Sequence, residues 1–233
     1  MNDNTRKIRA LFDSIANKYD FLNHALSFYQ DIHWRRKTAR ILKRKFSNYK
    51  SKVKILDLST GTGDMIKALK GEFLKNAEIF GLDFSKSMLE IARKKLNKSF
   101  LIQGDASKLP FYSNTFDLIV TAFGLRNFND FEKILEEIIR VTKKGGKIAF
   151  LEFSRPRNYF FRKIYYFYLS RIVPQLGRLI AKNYKAYYYL YSSIWNFHSK
   201  EKIKSLLSNA GLKNIEVYSF TQEIVSLYIG EKR

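Results

Sequence analysis

The sequence predicts an α/β fold, a doubly wound and mostly parallel sheet, and three observations carry that prediction. Short apolar runs of strand length alternate with stretches of helical spacing from residue 53 onward. The first run, Val53-Lys-Ile-Leu-Asp-Leu58, is apolar on both faces, as a strand buried from both sides must be. It leads directly into Ser59-Thr-Gly61-Thr-Gly63-Asp64, where two glycines let the backbone turn at positive φ and approach a ligand with no Cβ in the way. Met65, Ile66 and Leu69 then recur at helical spacing, so the unit reads strand, glycine turn, helix. That is the ground plan of a nucleotide site at the carboxyl end of a sheet.

The other elements follow in order. Ile8, Leu11, Phe12 and Ile15 predict an amphipathic helix over residues 5–19. A second helix from about Asp31 to Phe46 turns Trp34, Ile41 and Leu42 inward and Arg35, Arg36, Arg40 and Arg44 outward. Both helices are expected to cap the carboxyl edge of the sheet. Glu78 to Asp83 reads as the second strand, Lys86 to Leu96 as a helix, and Phe100 to Gln103 and Phe116 to Thr121 as strands. Asp130 to Val141 is a helix capped by Asn129 or Asp130, and Gly145-Gly146 turns into a fifth strand, Lys147 to Phe153. Residues 154–198 interrupt the alternation with two aromatic-rich helical segments around Pro174. A helix from Lys200 to Ala210, ended by Gly211, and strands at 214–220 and 223–229 complete the chain. The expectation is a single domain over 1–233. It comprises an N-terminal helical cap (1–52), a cofactor-binding core (53–153), an aromatic and basic helical insertion (154–198) and a C-terminal helix with strands (199–233).

The residues at the turn restrict the chemistry. A dinucleotide fingerprint wants a third glycine where this chain has Ile66, which disfavours hydride transfer. Asp57, just ahead of the turn, suits a cationic ligand better than a pyrophosphate. Asp83, nineteen residues past Asp64, closes the second strand and is placed to accept hydrogen bonds from both ribose hydroxyls of an adenosine. The absence of cysteine excludes disulfides, thiolate metal sites and a thiol nucleophile. The net charge of +22 would suit nucleic acid or an anionic membrane, and its distribution is uneven. Residues 1–52 carry +9 and residues 155–204 carry +10, whereas 53–154 carry only +3, so the excess lies outside the core. Residues 159–197 also hold 14 of the 37 aromatic residues, the pairing of rings and positive charge that an interfacial surface shows. The N-terminus has no apolar stretch behind its charges and no run reaches the roughly 20 apolar residues of a membrane span. A cytoplasmic protein, docked on the inner membrane face, is expected.

The pattern from Asp57 through Gly61 and Gly63 to Asp83 resembles that of the class I S-adenosylmethionine-dependent methyltransferases. The resemblance implies S-adenosyl-L-methionine as methyl donor, with Asp57, Gly61, Thr62 and Gly63 at the turn, Asp83 on the ribose, Asp105 and Ala106 of Gln103-Gly-Asp-Ala106 at the adenine, and Ala122 at the methionine end. More specific segments resemble the demethylmenaquinone and ubiquinone C-methyltransferase family. They are Phe12-Asp-Ser-Ile-Ala-Asn-Lys-Tyr-Asp20, Trp34-Arg-Arg36, Ala122-Phe-Gly-Leu-Arg-Asn127, Leu151-Glu-Phe-Ser-Arg-Pro156 and Val173-Pro-Gln-Leu-Gly177. One departure stands out: after Ser27-Phe28 the family usually has glycine and, two positions on, histidine, where this chain has Tyr29-Gln30-Asp31.

The family resemblance implies methyl transfer to a ring carbon of a polyprenylated hydroquinone, demethylmenaquinol first and a methoxy-polyprenyl benzoquinol second. Without a cysteine to enrich an electron-poor ring, carbon methylation needs a ring that is already electron-rich, and hydroquinones are. Arg126 is the catalytic candidate, as stabiliser of a phenolate, against the alternative of a structural ion pair. Tyr19 and Asp20 are candidates for a closing lid, and His198 for a base. The implied partners are the quinol and an anionic membrane, not nucleic acid, with the oligomeric state left open. An RNA methyltransferase is the rival that the charge allows. Thr121-Ala-Phe-Gly124 argues against it, since methylases of exocyclic amines place an acid or asparagine and two prolines there.

Overall fold

A computed structural model describes residues 3–49, 51–97 and 99–233; Met1 and Asn2 of the charged N-terminal stretch lie outside the described residues. Strands β1 (Val53–Leu58), β2 (Ala77–Asp83), β3 (Phe100–Gln103), β4 (Phe116–Ala122), β5 (Thr142–Phe153), β6 (Lys213–Phe220) and β7 (Val225–Glu231) form one sheet in the order β3-β2-β1-β4-β5-β7-β6. Pairing is parallel from β3 to β5, and β7 runs antiparallel between β5 and β6. The strand order reverses between β1 and β4, so the crevice at their carboxyl ends is where a ligand is expected. β5 starts at Thr142, earlier than Lys147, because its pairing with β4 slips around Gly145 and Gly146 and then resumes.

Helices cover both faces. α2 (Gln30–Lys45), α3 (Asp64–Phe73) and α4 (Lys86–Lys95) pack Trp34, Leu42, Met65, Leu69 and Ala92 against Ile55, Val120 and Ala149. On the opposite face α5 (Phe131–Val141) and α9 (Lys200–Asn209) set Ile134, Ile138, Ile203 and Leu207 against Leu56, Leu58, Ile119 and Ile148. Buried aliphatic side chains of this kind each contribute about 1.5–3 kcal/mol, so the alternate residues of β1 anchor the two layers together. Asp130 caps α5 by accepting from the Lys133 N–H, as expected, and Gly211 sits at φ 88° just after α9.

The third cluster lies across the carboxyl edge. α1 (Asp3–Leu26) brings Ile15, Leu22 and Leu26 against Tyr165, Val173, Tyr187 and Ile194 of α6 (Tyr159–Phe167), α7 (Val173–Ala181) and α8 (Tyr184–Trp195), and against Leu169 between α6 and α7. α6 and α7 are continuous through a π-helical turn, Tyr168–Ile172, with Pro174 in the first turn of α7, where its missing N–H costs little. α1 therefore caps the edge as expected, while α2 packs on the sheet face instead, because Trp34, Ala39, Leu42 and Phe46 form a stripe that only α3 and the sheet can bury. Arg35 also differs from expectation: it is 8 % exposed, because Asp31 one turn earlier supplies a partner at 2.7 Å and Phe123 a ring face at 4.9 Å. α1 and α2 part at Phe28 and Tyr29, both left-handed, at φ 52° and 60°. Among the described residues no helix is long and apolar enough to cross a membrane.

Candidate active site

Two cavities meet at the carboxyl edge. The first, of about 260 Å³, lies over the ends of β1, β2 and β4, and its wall includes Ser59, Gly61, Asp83, Asp105, Ala106 and Ala122. Gly61 turns at φ 55° with nothing near its missing Cβ, which leaves backbone open to a ligand. Gly124 has the opposite reason to lack a side chain, since a Cβ would meet Ser59 Cβ at 2.8 Å. Ser59 and Phe123 flank the cavity at φ 59° and 63°, strain of the sort that clusters at ligand sites. Asp83 is buried and its carboxylate accepts from the Gly61 N–H (2.8 Å) and the Ser85 N–H (2.9 Å). Burial outweighs these bonds and pushes its carboxyl up to about 6.

Of the remaining sequence candidates, Asp57, Thr62 and Gly63 do not line this cavity. Asp57 lies one layer beneath, 1 % exposed, with Oδ2 accepting from the Thr60 hydroxyl at 2.5 Å and Oδ1 buried without a partner. Burial raises its carboxyl to about 7, with Thr60 and the charge of Arg35 opposing. Thr62 faces α1 and donates to Asp20 at 2.5 Å. Gly63, at φ 86°, has Leu96 where its Cβ would be, 2.3 Å from that side chain's Cδ1.

α1 is fastened over the turn at two points. Asp13 accepts from the hydroxyls of Ser85 and Ser87 at the start of α4. Asp20 pairs with Thr62 and with Lys95, and Lys95 also reaches Asp64 at 2.6 Å. His24 Nδ1 lies 2.9 Å from Asp31 Oδ2, and its Nε2 is 3.8 Å from Asp64. His24, Asp31 and Asp64 form a compact cluster, but Arg35 and Lys95 already balance its carboxylates. The imidazole beside Asp31 thus comes from His24 across the α1–α2 turn; His33 is exposed.

The second cavity, of about 370 Å³, lies between α1 and α6–α8. Leu11, Ile15, Leu26, Trp34, Phe153 and Leu169 give it an apolar wall, and Phe28 and Ile164, exposed at 73 % and 51 %, mark its mouth. Phe12, Tyr19 and Phe123 line both cavities, so the two spaces share a wall. Arg126 borders the second cavity with its guanidinium donating to Glu152 (2.8 Å), to the Phe123 carbonyl (2.6 Å) and to Ser193 (3.3 Å). Its side chain is 5 % exposed and that of Glu152 is 0 %. Burial alone would lower the guanidinium's affinity for its proton; Glu152, with Tyr19 and Tyr189 behind it, more than reverses this, so the arginine is a fixed cation on an apolar wall. The ion pair and the cavity position hold together.

His198 is exposed and lines a different groove with Leu125 and Phe197. Of Tyr165, Phe167 and Tyr168, the rings that an interfacial surface would be expected to insert at headgroup depth, only Phe167 is exposed: Tyr165 is 7 % exposed and Tyr168 donates to the Leu26 carbonyl. Arg35 and the Asp13 latch were not legible in the sequence, since α1 meets α4 only through tertiary packing.

A family model described as the ubiE/COQ5 methyltransferase family matches residues 1–232. The chain is 38 % identical over 232 residues to the demethylmenaquinone methyltransferase of Bacillus subtilis, covering 97 % of each chain. It is 38 % identical over 238 residues to that of Staphylococcus saprophyticus, covering 100 % of both. Among solved structures, a SAM-dependent methyltransferase of Thermotoga maritima is similar with a TM-score of 0.64 at 19 % identity, over 96 % of this chain and 99 % of that one. One from Aquifex aeolicus is similar with a TM-score of 0.59 at 18 % identity, over 82 % and 88 %. These two likenesses concern the fold.

Proposed function

The chain belongs to the ubiE/COQ5 methyltransferase family, and from that premise we propose that it transfers a methyl group from S-adenosyl-L-methionine to a ring carbon of demethylmenaquinol, giving menaquinol. The observation that carries this reading is the shared wall. A cavity at the glycine turn and an apolar cavity holding a fixed cation meet at Phe12, Tyr19 and Phe123. The relatives of like length from Bacillus subtilis and Staphylococcus saprophyticus are demethylmenaquinone methyltransferases.

The open backbone at Gly61, the carboxylates of Asp83 and Asp105, and the small side chains of Ala106 and Ala122 fit the donor and would hold it. The bound sulfonium supplies an electrophilic methyl. Asp57, through Thr60, and Thr62, through Asp20, brace the turn from below and from α1. Arg126 keeps its positive charge and stabilises negative charge that develops on a ring oxygen, from a mostly apolar wall. Deprotonating it would be far harder than leaving it charged, so it acts by charge and not as a base.

The test is product mass after incubation with labelled S-adenosyl-L-methionine and, separately, short-chain demethylmenaquinol, a methoxy-prenyl benzoquinol and bulk RNA. The expected result is one added methyl on the demethylmenaquinol ring. Label on RNA with none on either quinol would overturn the assignment.

Residues of the insertion carry the membrane part of the reading. Tyr159, Phe160, Ile164, Phe167 and Leu179 are all exposed, on the segment that also carries Arg155, Arg162, Lys163, Arg171 and Arg178, and Ile164 lines the apolar cavity with Phe28. Basic residues near an anionic leaflet are each worth about 1 kcal/mol within a Debye length, so a handful suffices for reversible docking. Sedimentation with anionic vesicles should fall steeply with salt and on changing four of these Arg or Lys to Gln. Equal binding to neutral and anionic vesicles would remove the charge from the account.

A further inference from the structure

Two tyrosines of the apolar cavity's wall carry covered hydroxyls that the reaction as described leaves unused. Tyr165 on α6 and Tyr187 on α8 are 7 % and 2 % exposed, both line the cavity, and neither hydroxyl has a hydrogen-bond partner. Their neighbours are satisfied: Tyr168 donates to the Leu26 carbonyl at 2.7 Å and Tyr189 to Asn127 at 2.8 Å. Among the described residues the other buried hydroxyls without a partner, Thr38 and Ser170, do not line the cavity. An orphaned hydroxyl destabilises a core, and phenylalanine would fill the same volume without that cost. Tyr187 is moreover seated closely, because a Cβ on Gly177 of α7 would meet its ring carbons at 2.1 and 2.3 Å. A glycine in a helix is itself unfavourable, so the pocket for this ring is a second cost borne at one place.

We propose that an aromatic ring entering this cavity uncovers the Tyr165 and Tyr187 hydroxyls and accepts a hydrogen bond from each on its two oxygens, and that these two bonds align the ring's O–O axis relative to the wall shared with the cofactor cavity. The proposal rests on the quinol reading above. Burial keeps both phenols protonated far beyond neutral pH, with Arg126 opposing this at Tyr165 only in part, so each has a proton to offer. A 1,4-diol carries its oxygens on opposite sides of the ring. Two donors from two different helices therefore hold its O–O axis, which a single contact cannot do, and the tail, carried on one side of that axis only, selects between the orientations that share it. The apolar wall supplies affinity for the ring and its tail, and the two donors supply orientation.

The test uses Tyr165→Phe, Tyr187→Phe and the double variant. Equilibrium binding is measured for a short-chain prenylated 1,4-dihydroxynaphthalene, kept reduced, and for the same prenylated naphthalene without oxygens. The wild type should prefer the diol, and each substitution should reduce that preference by roughly five- to tenfold while leaving binding of the oxygen-free ring unchanged. KM for short-chain demethylmenaquinol should rise by a similar factor, kcat should change less, cofactor affinity should stay as in the wild type, and thermal stability should not fall. Unchanged discrimination between the two probes in the double variant would overturn the proposal. So would a loss of thermal stability in both single variants, since it would mean that each hydroxyl already has a partner in the protein. If the wild type methylates no demethylmenaquinol, the functional assignment falls, while the pair of binding measurements still decides what the two hydroxyls do.

Discussion

Asp57→Asn should stabilise the protein without cofactor at neutral and alkaline pH, although Asp57 braces the glycine turn from beneath the site. The carboxyl is held at about 7 against an ordinary value of 3.8, because burial disfavours the charge more than Thr60 and Arg35 favour it. For an acid whose folded value is raised, the folded chain keeps a proton that the unfolded chain has released. Stability is therefore lost as pH rises from about 4 to about 7. At roughly 1.36 kcal/mol per unit, burying the charge costs about 4 kcal/mol, of which about 2–3 kcal/mol develops between about pH 5 and about pH 8. In the variant the Thr60 hydroxyl can still donate to the amide oxygen, but the new NH₂ takes the place of the unpartnered Oδ1 and returns about 1 kcal/mol as an unsatisfied donor. The net gain near pH 8 is about 3 kcal/mol. At roughly 2–4 °C per kcal/mol for a chain of this length, Tm should rise by about 6–12 °C there and by much less near pH 5. Calorimetry at both pH values would measure it. Parallel pH slopes for wild type and variant, or a variant less stable near pH 8, would refute the reasoning. Asp83, raised to about 6, adds a loss of the same sign.

Three further predictions concern other parts of the fold. Arg126→Leu should lower stability by about 3–5 kcal/mol, because it leaves Glu152 buried and unpaired. The double variant Arg126→Leu/Glu152→Leu should recover most of that stability by calorimetry yet keep a depressed kcat with cofactor affinity intact, and recovery of kcat in the double variant would assign Arg126 to structure alone. Tyr29→Gly should raise Tm, by about 1 kcal/mol of stability, since Tyr29 is 62 % exposed and held at φ 60° where glycine is unstrained. Gly177→Ala should displace the Tyr187 ring, lowering stability by about 1–3 kcal/mol as seen in thermal melts and reducing the preference for an oxygenated ring in the binding assay.

The alternation of runs and the glycine turn were enough to place β1, β2, β4 and the helices between them, because a parallel sheet forces apolar residues onto both faces of its central strands and glycine onto a turn at positive φ. Gly61, Asp83, Asp105, Ala106 and Ala122, read from their spacing and from resemblance, all reach one cavity, since each lies at or just past the carboxyl end of β1, β2, β3 or β4 and the sheet brings those ends together. Other features have no local signature. Arg35 looked like a solvated face of α2 and is buried, because its partners Asp31 and Phe123 come from a turn of helix and from the far end of β4. The aromatic insertion read equally well as a lid or as an interfacial surface, and packing divides it ring by ring: Tyr165 and Tyr187 turn inward onto α1, while Phe160 and Phe167 stay exposed. The pattern of a strand or helix fixes which face is apolar. Which hydroxyl on that face goes without a partner, and which arginine is matched by a buried glutamate, depends on side chains tens of residues away in the chain and was decided only when the elements packed.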